Sequence, residues 1–148
     1  MSSPQLLTDP FLQLPTATGV RVVWFTEFAG IRHTVSYGEN LDLIAVANTI
    51  KLSRTREDAR SKIQKHIQLE EVHPQIIQRD IWRHEAEITN LTPGKRIPYR
   101  VTSVREDGET VSSDIFSLAA VPPKGTPLKI LLTSDHQLMP MTAANLQK

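Results

Sequence analysis

Cysteine is absent from the 148 residues, which excludes a disulfide scaffold, a thiol nucleophile and any thiolate-held metal. No charge of one sign dominates either. Lys and Arg number 17 against 16 Asp and Glu, a formal net charge of +1, so no whole-molecule field singles out a highly charged partner. No apolar run approaches the roughly 18–20 residues that a membrane-spanning helix needs. The opening residues, MSSPQLLTDPFLQLP, lack the basic stretch and apolar core of a signal peptide. The expectation is a cytoplasmic chain with no membrane partner.

What is present is ordinary globular composition, 39% apolar and 22% charged, in a chain long enough for one well-cored domain. Ten prolines and six glycines punctuate short alternating segments, the pattern of an all-β domain rich in turns. GVRVVWFTEF, residues 19–28, puts Val20, Val22, Trp24 and Thr26 on one face and Arg21, Val23, Phe25 and Glu27 on the other. A solvated face would be polar where Val23 and Phe25 stand, so the outer face is expected to be partly covered. Either Val23 and Phe25 form an interface patch, or the N-terminal segment LLTDPFLQLP lies over them.

RHTVSYGE alternates through Val35 and Tyr37 to a turn at Gly38, and LDLIAVANTIKL reads as a further strand. TREDARSKIQKHIQ, residues 55–68, departs from the pattern. Thr55 with Asp58 three residues on resembles a helix cap, and Ala59, Ile63 and Ile67 share one helical stripe, so a short helical insertion is expected there. IWRHEAEITNL returns to alternation, with Trp82, His84, Ala86 and Ile88 inward. Turns follow at Pro93-Gly94 and Asp107-Gly108, with RIPYRVTSV between them and SDIFSLAAV as the last strand of the set. Pro98 sits awkwardly inside RIPYRVTSV, since a central strand uses its amides, and a late strand start or a bulge is expected. Together these segments specify a β-sandwich.

Several local features carry plainer readings. The stretch Lys51–His66 holds six Lys and Arg against Glu57 and Asp58, but without interleaved aromatics it reads as a solvated insertion rather than a nucleic-acid surface. His33, His66, His73, His84 and His136 form no tight metal-ligand pair. His84 alternates with Trp82 and Ala86 as a core or edge histidine. Ser134–His136 is no catalytic triad, because adjacent side chains cannot relay a proton in line. Asn90–Thr92 matches a glycosylation sequon and reads as turn chemistry.

The final residues change style. After the stiff linker PPKGTP, LKILLTSD is an apolar run of the kind that a parallel strand covered on both faces shows. Asp135 stands where functional groups gather beyond strand ends, and MTAANLQ has helix formers. Residues 128–148 thus read as the first strand, loop and helix start of an incomplete α/β domain. The plainer reading is a further strand with Asp135 capping a turn.

EITNLTPGKRIPYRVTSV resembles the corner between two late strands of a fibronectin type III or immunoglobulin-like sandwich. VRVVWFT resembles the strand of that fold that carries a core Trp. The order of a sandwich, a Pro-rich linker and LKILLTSDHQ is similar to the N-terminal region of purple-acid-phosphatase-like metallophosphoesterases. That resemblance implies an immunoglobulin/fibronectin III-like sandwich over residues 1–123, a linker over 124–127, and the start of a metallophosphoesterase domain over 128–148. It implies a parent enzyme that hydrolyses phosphate esters with two di- or trivalent metal ions (Fe, Mn or Zn), with Asp135 as a ligand and Gln137 two residues on as a weak neutral donor. One carboxylate and one amide do not assemble a two-metal site, so the chain itself is expected to be a non-catalytic accessory domain whose partner is that catalytic domain. Arg54, Arg56 and Arg60 then become candidates to meet a phosphorylated substrate. Residues 128–133, an apolar edge without its neighbours, become a candidate for self-association. The competing expectation is a stand-alone protein-binding sandwich.

Overall fold

The structure, a computed structural model, describes residues 3–52, 56–57, 77–78 and 80–130. Its strands are β1 (Phe11–Gln13), β2 (Val20–Thr26), β3 (Arg32–Tyr37), β4 (Leu43–Val46), β5 (Asn48–Lys51), β6 (Arg56–Glu57), β7 (Ile77–Gln78), β8 (Trp82–Ile88), β9 (Ile97–Val104), β10 (Thr110–Ser112) and β11 (Phe116–Leu118). One sheet runs β1-β2-β8-β5. The second runs β10-β9-β3-β4, with β11 beside β10 on β9, and β6 pairs with β7. All pairings between these strands are antiparallel. This is the immunoglobulin-type division, with β1, β2, β8 and β5 in one layer and β3, β9 and β10 in the other.

Alternation explains the layers. Val20, Val22, Trp24 and Thr26 from the first sheet are buried, as are Val35, Tyr99, Val101 and Leu118 from the second. They form one core with Ala86, Ile88, Leu91 and Ala120. Each fully buried large aliphatic or aromatic side chain contributes about 1.5–3 kcal/mol from burial.

Two expectations about strands are corrected. LDLIAVANTIKL is not one strand but two, β4 in the second sheet and β5 in the first. Ala45 pairs with Val35, Ala47 N donates to His33 O at 2.9 Å, and then Asn48 pairs with Glu85 across the sandwich. A small half-buried Ala47 marks the crossing. Nor does Pro98 delay or bulge β9, whose register runs unbroken from Ile97. Pro98 O accepts from Gly38 N at 3.2 Å, just past the last residue of β3. A residue's N and O point to the same side of a strand, so the missing N–H faces the Gly38 turn, where the ladder has ended.

Of the expected helix over 55–68, only Arg56 and Glu57 are described, and they form β6; the rest lies outside the described residues. Of the expected α/β start over 128–148, residues 128–130 are described, outside any strand, with Leu128 and Ile130 exposed.

Candidate functional site

Most of the residues singled out from the sequence lie beyond what the structure describes. Asp135 and Gln137 are outside the described residues, as are Arg54 and Arg60; Arg56 is placed as backbone in β6. Leu128 and Ile130 are the described part of the 128–133 edge. No group of three or more His, Asp or Glu able to hold a metal comes together among the described residues.

Val23 and Phe25 are described, and the interface expectation for Val23 is corrected: its side chain is fully buried. In the ladder it stands between Phe11 of β1 and Glu85 of β8. Phe11 and Phe25 meet with ring centroids 5.9 Å apart. Glu85 holds Arg21 at 2.8 Å and also pairs with Arg83, which reaches Gln13 at 3.1 Å. The N-terminal segment and this charged lattice supply the cover that the apolar outer face required.

At the end of the sandwich where β2 finishes and β3 begins, a polar seam runs through the core. Trp24 Nε1 donates to Ser103 Oγ at 2.9 Å, and Ser103 Oγ lies 2.8 Å from His33 Nδ1. His33 Nε2 lies 2.6 Å from Ala29 O. A carbonyl can only accept, so the proton sits on Nε2, and Nδ1 accepts from the Ser103 hydroxyl. His84 obeys the same logic. Thr26 Oγ1 donates to Phe28 O at 2.7 Å, so at 2.8 Å it must accept from His84 Nε2. His84 Nδ1 then accepts from Thr49 Oγ1 at 2.9 Å. Both imidazoles are thereby fixed as neutral Nε2–H tautomers, stacked face to face across the two sheets with centroids 3.6 Å apart.

Burial and the stacked partner agree with that assignment. Desolvation lowers the pKa of His33, against the raising effects of the Ala29 hydrogen bond and the Glu106 charge. Desolvation, with the neighbouring His33 second, lowers His84 to about 3. Gly30 completes the seam. It adopts φ +67°, and a Cβ there would stand 2.6 Å from both His33 Nε2 and Val104 O. Gly30→Ala is therefore expected to cost about 2–3 kcal/mol, from a left-handed backbone and a clash with a backbone oxygen that cannot move aside. Urea denaturation of the variant checks it, and an unchanged midpoint would contradict the close approach.

At the opposite end the β3–β4 turn and the β8–β9 turn enclose a cleft of about 560 Å³. Tyr37, Leu91 and Ile97 from the edge of the core contribute its apolar lining; Asn40, Asp42, Thr89, Asn90 and Thr92 contribute polar groups. Lys95 Nζ and Glu39 Oε1 join the two turns at 2.7 Å. The chain leaves the sandwich beside this cleft. Ala120 bridges Pro93, and a Cβ on Gly94 would lie only 3.3 Å from Pro122 Cα, so the Pro-rich exit is seated on the corner glycine.

Two antiparallel layers, a Trp-centred core and an exit anchored at the late corner define a β-sandwich domain of the immunoglobulin-like class. A family model described as the purple acid phosphatase N-terminal domain matches residues 8–120, and the chain belongs to that family. The search of curated proteins found no match.

Sequence reasoning missed the cleft and half of the polar seam. His84 was legible as a core histidine through its alternation with Trp82 and Ala86. His33 carried the same signal, standing two residues before Val35 in an alternating run.

Proposed function

We propose that this chain is the accessory, non-catalytic N-terminal domain of a metal-dependent phosphoesterase, serving to hold the catalytic domain that follows it. The family match across residues 8–120 carries the reading, because it places the whole sandwich in a family whose description names a phosphatase. The seating of Pro122 and Pro123 on Gly94 supports it, since a stiff, packed exit transmits orientation to whatever follows. In the parent, two metal ions of the Fe, Mn or Zn type would supply an activated water for hydrolysis. Asp135 fits such a centre as one carboxylate ligand and Gln137 as a poor one. Those two donors alone do not make up a binuclear site.

The source reading frame beyond the codon for Lys148 tests this. An open frame encoding further Asp, Asn and His metal motifs is the expected result, with no metal-stimulated hydrolysis of p-nitrophenyl phosphate by residues 1–148 alone. A stop codon at that point, or turnover by the isolated chain, would overturn the proposal.

One observation favours the second reading, a stand-alone binding module. Among the described residues strand β4 is a sheet edge with Leu43, Ile44 and Val46 all exposed, and such an edge can accept a strand from a partner. A stop codon at the end of the chain would move weight to this reading.

A further inference from the structure

The open cleft at the exit end has the volume of a small-molecule site. Its volume of about 560 Å³ lies within the range of roughly 300–1,000 Å³ typical of ligand pockets. Its two walls are held in defined conformations. Leu41 and Asn90, one in each turn, are non-glycine residues with φ of 57° and 60°, and Gly38, in the same turn as Leu41, has φ 101°. Left-handed backbone at a leucine is costly, and such conformations persist where the surroundings impose them. Here those constraints are Leu41 N to Gly38 O at 3.0 Å, Leu91 N to Thr18 O at 2.9 Å and Lys95 N to Thr92 O at 3.1 Å.

Charge and donor chemistry narrow the ligand. Glu39 is neutralised by Lys95, which leaves Asp42 as the one charge lining the cleft that has no ion-pair partner among the described residues. The other polar side chains, Asn40, Thr89, Asn90 and Thr92, are neutral groups that both donate and accept. A cationic ligand would pair with Asp42 and use only the accepting oxygens of those four, leaving their N–H and O–H donors without a partner. A ring bearing several hydroxyls would use all of them, with its apolar C–H face on the Tyr37 ring. Asp42 is also placed for the task, since its Oδ1 lies 3.1 Å from where a Cβ on Gly38 would be, so a side chain at that glycine would crowd the carboxylate. We infer that the cleft between the β3–β4 and β8–β9 turns binds a polyhydroxylated ring of the pyranose type. Asp42 and Asn90 take its hydroxyls and Tyr37 its face. The inference stands independently of the accessory role.

Amide NMR spectra of the 148-residue chain, titrated with methyl glucoside, methyl mannoside and N-acetylglucosamine into the tens of millimolar, test it. Shifts confined to residues 38–42 and 89–95 are expected for at least one sugar, with affinity weakened about tenfold or more by Asp42→Ala and by Asn90→Gly. Asn90→Gly removes the amide while keeping the left-handed backbone accessible, so loss of binding there is not loss of fold. N-acetylarginine amide is the contrasting probe. A response to it without a response to any sugar would overturn the proposal in favour of a cation site. Silence toward every probe would overturn it, as would a sugar response that survives both substitutions.

Discussion

Lowering the pH from neutral to about 4 is expected to destabilise the sandwich by about 2–3 kcal/mol through His84 alone. In the unfolded chain His84 takes up a proton near its ordinary 6.5, but in the fold it stays neutral down to about 3. Between those values the unfolded state binds more protons than the native state, so stability falls as pH falls. Above the unfolded value neither state is protonated there and the effect vanishes. His33 adds to the loss with the same sign, since its pKa is also lowered. The geometry says why neither ring accepts the proton readily. Each free Nδ1 already accepts a hydroxyl hydrogen from Ser103 or Thr49, and a charge on one ring would face the other at 3.6 Å. Urea denaturation at several pH values measures the slope. In His84→Gln the portion due to His84 should disappear; a pH dependence identical to wild type would show that the stacked pair does not govern acid lability.

Trp24→Ala is expected to be the most damaging single substitution, at about 3–5 kcal/mol. The indole is fully buried at the centre of the core, so truncation leaves a cavity that two paired sheets cannot collapse around. It also removes the donor to Ser103 Oγ, and a buried acceptor that loses its partner adds a penalty of its own. Trp24→Phe separates the two contributions. It retains much of the volume and loses the N–H with a smaller part of the ring, so about 1–3 kcal/mol is expected. Thermal or urea unfolding of both variants decides the matter. Equal losses in the two would mean that the hydrogen bond, not the packing, dominates at this position.

The layers of the fold were legible because period-two alternation is a local signal. Val22 and Trp24, or Ala86 and Ile88, declare their face within a few residues. The split of Leu43–Lys51 into β4 and β5 was not legible. The segment LIAVANTI has no glycine, proline or charge to mark a boundary, and the crossing at Ala47 is set by which neighbour, Val35 or Glu85, the backbone meets next. The stack of His33 on His84 and the cleft between Gly38–Asp42 and Thr89–Lys95 were hidden for a related reason. Each joins segments far apart in sequence, and only the packing of one sheet on the other brings them together. Val23 shows the limit from the other side. Its apolar character on an outward face signalled a cover, and only the pairing of Phe11 with Val23 identifies the cover as this chain's own N-terminus.

The meeting of β5 with β8 also bears on how the chain could be re-threaded. Lys51 pairs with Trp82, Leu52 N donates to Ile81 O at 2.9 Å, and Lys51 Nζ holds Asp80 at 2.8 Å. The ladder is thus paired as far as Leu52 on one strand and from Ile81 on the other. Severing the polypeptide between residues 57 and 77 breaks no strand pairing among the described residues, the β6–β7 pair included, and removes the chain closure between them. The sandwich is accordingly divisible there, into two pieces that should reassemble when mixed.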